Sequence, residues 1–278
     1  MPEGPEIAVV AVSLQKHLPG YTITNLKYEE SKKINLKSLT LPVTIKGVSF
    51  KGKKLVFMLE GDKYIVFSLG MSGHFCLGRH NKRKHSRVKF ALSKNSGDLL
   101  DESLDKSLDE SQKQYLYFDD TRKFGIVEVF SSTNDLLDRL DKVGLDFLLG
   151  NISYEYWLNA SKKYAKKQVC QFMLDQKYIS GIGNIYRADI CYLAKINPTR
   201  TVSSLSSAEL ITLYKCSYKI IHQAFKAGSS KGYRDPEGKS GQYEYLVYMQ
   251  KKDALGNPVI SEKCKDGRTI HWVPAVQK

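Results

Sequence analysis

The chain opens MPEGPE, with a proline directly behind the initiator methionine. A small residue at position 2 permits removal of that methionine, so the mature chain is expected to begin at Pro2 with a secondary amine. An α-amino group has an ordinary pKa of about 7.7–8.0, which leaves a usable neutral fraction near pH 7. Such an amine can attack the anomeric carbon of a sugar and leave a cationic iminium, covalent catalysis of the Schiff-base kind. Glu3 and Glu6 follow closely; one can shuttle protons while the other holds the amine. Three further places can hold an anion. Lys53 lies in a GKK turn ahead of a strand pattern, where a point charge can meet phosphate. In the run SGIGN, Gly181 and Gly183 allow a tight turn, and Asn184 stands where a helix begins, an end that attracts phosphate. Arg268, near a C-terminal hairpin turn, can clamp phosphate bidentately. Taken singly these are a capped N-terminus, a solvated lysine, a packing turn and a surface arginine.

The composition narrows what such groups would serve. The 278 residues carry 43 Lys+Arg against 29 Asp+Glu, a net charge of +14, which points to a polyanionic partner. No apolar run approaches the ~18–20 residues of a membrane span, and the N-terminus lacks a signal-peptide profile. A membrane protein is therefore not expected, and an intracellular one is. Five cysteines, with no C-x-x-C spacing, argue against a disulfide framework. The terminal hairpin offers only Cys264 and His271 where zinc takes about four ligands, so neither metal nor cofactor is expected.

The pattern of apolar residues predicts the elements that must position these groups. Ile7, Val10, Ala11, Leu14 and Leu18 form one helical stripe, ended by Pro19-Gly20. Short strand-like runs follow at 21–28, 43–50, 54–59, 63–68, 74–77, 87–92, 115–118 and 126–130. Their number and shortness predict a sandwich or barrel. Residues 93–113, rich in Ser and acid, read as a mobile insertion between two strands, with a surface helix striped by Leu99, Leu104 and Leu108 as the alternative; without its net −3 the remainder carries +17. The basic run 79–87, RHNKRKHSR, reads as a solvated face near nucleic acid, with nuclear import as the alternative. Beyond about residue 133 helices are predicted at 134–141, 154–160, 166–176, 183–193 and 206–227, the last capped near Ser206. A Gly-rich loop at 228–241 and strands at 242–250 and 268–275 close the chain. The expected fold class is α+β: a β-sandwich or barrel with an N-terminal helix (1–131), a linker (132–150), a helical domain (151–241) and a hairpin finger (242–278).

Together, and in this order, the motifs resemble the Fpg/Nei family of DNA glycosylases. MPEGPE is similar to its N-terminal signature, GKK to its strand-start lysine, LGMSGHF (69–75) to its intercalation loop and DDTRKFG (119–125) to its D-P-R-R-F-G segment. DQKYISGIGNIYRADI resembles its helix–two-turn–helix core, and the last hairpin its zincless finger. The resemblance implies base excision repair by a DNA glycosylase and AP lyase. Pro2 would be the nucleophile, Glu3 the general acid/base, and Glu6 a support for amine and substrate. Lys53, Asn184 and Arg268 would grip phosphates, Lys53 beside the chemistry, and Lys123 would keep the charge of the motif's second arginine. Met71, Arg122 and Phe124 would fill the gap left by a flipped nucleotide. The implied partner is damaged duplex DNA; a monomer is expected because no interface pattern stands out in the sequence. The chain departs from the family at Ser68, where a histidine often stands, at Thr121 and Lys123, and in the 228–241 loop, which leaves the preferred lesion open. A non-catalytic binder of the same fold would be expected to lack Pro2 or Glu3, and a ribosome-type RNA-binding module leaves MPEGPE unexplained.

Overall fold

The computed structural model describes residues 2–78, 84–94, 114–150 and 152–278. From residue 95 on, the expected insertion lies outside the described residues, as does 79–83 of the basic run. The chain divides into two compact units. The first holds residues 6–140 with 233–240, and Met1–Pro2; the second holds Glu3–Pro5, 141–232 and 241–278.

In the first unit, helix α1 (Gly4–His17) buries the predicted stripe of Ile7, Val10, Ala11 and Leu14. Nine strands follow among the described residues: β1 (Thr22–Tyr28), β2 (Ile34–Asn35), β3 (Val43–Lys51), β4 (Lys54–Leu59), β5 (Tyr64–Ser68), β6 (His74–Gly78), β7 (Ser86–Ser93), β8 (Gln114–Asp119) and β9 (Ile126–Phe130). They run in the order β2-β9-β5-β4-β3-β1-β7-β8-β6. The link between β1 and β3 is only two residue pairs long, Thr22↔Thr44 and Ile23↔Val43, and the sheet folds over there. Phe57 and Phe67 from one half meet Phe75, Phe90 and Phe118 from the other, with centroids 5.0 Å apart for Phe67–Phe75 and 5.7 Å for Phe67–Phe118. Rings from facing halves in edge and tilted contact make this a sandwich with an aromatic core. The short strand β2, absent from the sequence pattern, pairs in parallel with β9. Helix α2 (Thr133–Leu140) closes the unit, packing Leu136 on Val56 and Val66.

The second unit contains β10 (Leu145–Asp146), α3 (Tyr154–Lys163), α4 (Val169–Leu174), β11 (Ile179–Ser180), α5 (Asn184–Leu193), α6 (Ser207–Lys226), β12 (Ile260–Lys263) and β13 (Thr269–Trp272). Ser206 caps α6 through a capping box with Glu209, an arrangement contributing about 1 kcal/mol. Helix α4 is shorter than its apolar pattern because Gln168 caps it and the chain leaves it at Asp175. Trp157 and Phe172 meet edge-on at 5.0 Å within the helical core. A smaller core joins Cys170 and Ala188 to Val247, Cys264, Ile270 and Val273 of the finger.

The finger corrects the sequence reading. Its strands are β12 and β13, paired Ile260↔Trp272 through Lys263↔Thr269, whereas 242–250 is not a strand. The alternation of Tyr243, Tyr245 and Val247 suits a strand, but their backbone serves another partner. The buried Asp189 carboxylate on α5 accepts the N–H groups of Leu246, Val247 and Tyr248 and the Tyr243 hydroxyl, at 3.0–3.2 Å. Three amides spent on one carboxylate cannot also form a ladder.

Candidate active site and nucleic-acid interface

Pro2 and Glu3 are both buried. Helix α5 has no side-chain cap of its own at Gly183. Glu3 supplies it from the other end of the sequence, accepting the backbone N–H of Ile185 at 2.9 Å and of Tyr186 at 3.4 Å. A carboxylate at the positive end of a helix is electrostatically favoured and satisfies two amides that otherwise lack partners. The sequence suggests this helix end as a phosphate site; two of its amides are instead taken by Glu3.

The glycines of SGIGN make this approach possible. A Cβ on Gly183 would lie 2.2 Å from the Glu3 carboxyl carbon, and one on Gly4 would lie 2.8 Å from Gly181. Gly4 donates its N–H to the Gly181 carbonyl at 2.8 Å, so the N-terminal segment is hydrogen-bonded into the turn. Gly181 has a positive φ of 92°. Gln176 templates the turn, accepting from the Gly181 N–H at 3.0 Å and donating to the carbonyls of Leu174 and Ile182.

Asn184 is oriented by Arg187, one turn along α5. The buried Arg187 guanidinium donates to the Asn184 oxygen at 2.6 Å, to the Cys170 carbonyl at 2.9 Å and to the Thr269 carbonyl at 3.4 Å, and it lies 3.5 Å from Asp266. With its oxygen committed to Arg187, the Asn184 amide presents its NH₂ end as a donor. Tyr248 hydrogen-bonds Asn184 as well, and burial pushes its phenol up. Arg268 is exposed in the turn between β12 and β13, next to the Thr269 that Arg187 holds. Its carbonyl accepts the Cys264 N–H at 2.9 Å, and its N–H is taken by Asp266 at 3.0 Å.

In the first unit, Glu6 is fully buried in the first turn of α1. Its charge acts on Tyr233, whose buried hydroxyl has no hydrogen-bond partner among the described residues and whose phenol is pushed up by burial first and by Glu6 second. Lys53 occupies the two-residue turn between β3 and β4, with Gly52 at φ 57°. The neighbouring Lys54 donates to Ser68, and burial holds its ammonium below the usual lysine range. Met71 is 40% and Phe124 45% exposed. The Arg122 guanidinium lies 5.0 Å from the Phe124 ring centre. Lys123, at φ 57°, pairs with Glu29 at 2.7 Å.

Arg187, Asp189, Gln176 and Tyr248 escape a sequence reading. The first three stand inside or beside the helix–two-turn–helix motif, where a charged or amide residue on an otherwise buried helix was a usable signal. Tyr248 carried none. Among the described residues no three His, Cys, Asp or Glu side chains gather as a metal would require, and no helix is long and apolar enough to cross a membrane.

Comparison with known proteins agrees along the whole length. Family models for the formamidopyrimidine-DNA glycosylase N-terminal domain, H2TH domain and C-terminal domain match residues 1–127, 143–234 and 235–278. Formamidopyrimidine-DNA glycosylase of Listeria monocytogenes is 30% identical, with all of both chains covered. The enzyme of that name from a Wolbachia of Drosophila simulans is 26% identical over the full length of both. Among solved structures, the MutM (Fpg) protein of Thermus thermophilus superposes with a TM-score of 0.84 at 26% identity, covering 99% of this chain and 98% of its own. A complex between Lactococcus lactis Fpg and DNA containing an abasic site gives 0.84 at 25% identity, covering 99% of both. With its glycine turn closed on Glu3 and all three domain models matched in order, the chain belongs to the formamidopyrimidine-DNA glycosylase family.

Proposed function

We propose that this protein is a bifunctional DNA glycosylase and AP lyase of base excision repair, acting on oxidised bases and abasic sites in duplex DNA. The Pro2 nitrogen attacks C1′ of the damaged nucleotide, and the bond from C1′ to the base breaks, the base leaving with a proton. Ring opening, with Glu3 delivering a proton to the ring oxygen, yields the iminium. Loss of a C2′ proton then expels the 3′ phosphate by β-elimination, and a second elimination can release the 5′ phosphate. Glu6 supports amine and substrate, while Lys53, Asn184, Arg268 and Lys123 meet phosphates, which position the enzyme without reading sequence. Met71, Arg122 and Phe124 fill the space of the extruded nucleotide. An intracellular protein is implied, nuclear if the cell is eukaryotic.

The observation that carries this reading is Glu3 held by the amides of α5 beside Pro2. A helix cap alone needs no residue from so far along the chain, whereas an acid–base group adjacent to a nucleophile needs a fixed position. The test is borohydride trapping on an oligonucleotide with an abasic site. A covalent adduct mapped to Pro2, and weakened in Pro2→Gly and Glu3→Gln, is expected. No adduct, from protein with verified methionine removal and intact DNA binding, would overturn the assignment.

A further inference from the structure

The loop carrying Met71 joins β5 to β6, and the loop carrying Arg122 and Phe124 joins β8 to β9. Strand register brings them together at both flanks: Ser68 pairs with Ile126 at one end and His74 with Asp119 at the other. Their backbones touch. Gly70 has φ 64°, and a Cβ there would lie 2.8 Å from the Phe124 carbonyl carbon.

A polar bracket crosses between the loops beneath the exposed side chains. The Ser72 hydroxyl donates to Asp120 and accepts the Arg122 N–H at 3.0 Å. The other Asp120 oxygen accepts the Gly125 N–H at 2.7 Å, and Asp120 is only 1% exposed. From the far side Lys33 donates to the Lys123 carbonyl at 3.0 Å and lies 5.0 Å from the Phe124 ring centre.

We infer that Ser72, through Asp120, is a positioning residue that couples the two loops into one wedge, so that Met71 and Phe124 enter DNA as a unit. The inference rests on the wedge role proposed above for Met71, Arg122 and Phe124. Its physical basis is preorganisation. Two separate loops would each lose conformational freedom on insertion, whereas loops already fastened together have less to lose. The Ser72 hydroxyl bonds both ways across the gap, to a side chain and to an amide of the opposite loop. Removing it leaves each loop's own strands intact but unlinks their tips. Asp120 alone cannot restore the link, since its second oxygen holds Gly125 of its own loop.

The test is a mutant cycle on an oligonucleotide with an abasic site, read as the ratio of duplex to single-strand cleavage. Fluorescence of 2-aminopurine opposite the lesion reports unstacking alongside it. Ser72→Ala is expected to lower the ratio and the fluorescence rise about tenfold, the size of one coupled interaction. Ser72→Thr keeps the hydroxyl and is expected to retain both. In a Met71→Ala/Phe124→Ala background, Ser72→Ala should add little, because of the three wedge side chains only Arg122 then remains to be positioned. Wild-type behaviour of Ser72→Ala, or a loss that adds in full to that of the double variant, would overturn the coupling. If Met71→Ala and Phe124→Ala themselves leave the ratio unchanged, the wedge reading has failed instead.

Discussion

The Arg187 guanidinium donates to the Asn184 side-chain oxygen at 2.6 Å and to the carbonyl of Thr269, the residue after Arg268, at 3.4 Å. One buried side chain therefore orients one proposed phosphate contact and holds the backbone beside another. Arg187→Ala is expected to weaken binding to abasic duplex by roughly 1.5–3 kcal/mol, the range of a hydrogen bond to a charged group. Arg187→Lys should recover little of this, since an ammonium cannot span acceptors laid out for a planar fork. Cys170 and Cys264 report the same change. They are buried in the core that joins α5 to the finger, whereas Cys76 and Cys216 are partly exposed. Thiol titration of the native protein should find Cys76 and Cys216 reacting first, and Arg187→Ala should bring Cys264 into reach. An Arg187→Ala protein with wild-type affinity would remove the positioning role.

Gly183 separates stability from activity. Its φ of −130° is open to any residue, so the glycine is needed for space: a Cβ would fall 2.2 Å from the Glu3 carboxyl carbon. Gly183→Ala must push Glu3 off the amides of Ile185 and Tyr186. The lost cap costs about 1 kcal/mol, partly offset by the lower chain entropy of alanine. Activity should fall far more, by about 10²–10⁴-fold, the contribution of a positioned acid–base group. A thermal melt and single-turnover cleavage of an abasic duplex on the same preparation check both halves. Equal small losses in the two would show that Glu3 is only a cap.

How much of this could be seen in the sequence depends on the range of each interaction. The α1 stripe and the Ser206 cap are local, and the sequence alone predicts both. Strand β2 is two residues long and exists only because β9 lies beside it, so no periodicity announces it. The 242–250 segment misleads because alternating aromatics are a strand signal, whereas its amides answer to Asp189, more than fifty residues earlier. The N-terminal motif reveals Glu3 as chemistry, but its partners at Ile185 and Tyr186 lie 182 and 183 positions away. Gly183 points to a tight approach without saying what approaches.

Acid stability should depend on Glu209. Its carboxylate accepts from the Arg200 guanidinium at 2.5 and 3.2 Å and from the Ser206 N–H at 2.7 Å. The Arg200 contact, opposed by burial, holds its pKa down at about 2 against an ordinary 4.5. A depressed acid stabilises the fold when ionised, so its contribution is complete above about pH 4.5 and is lost as the pH falls towards 2. The side chain is only partly buried, 33% exposed, and screening keeps the effect modest. Glu209→Gln removes the titration while keeping an acceptor for the cap. The melting temperature of the wild type should exceed that of Glu209→Gln at pH 6, and the two should converge between pH 4.5 and 2. Parallel curves across that window would mean that the Arg200 pair adds nothing to the native state beyond what the unfolded chain already has.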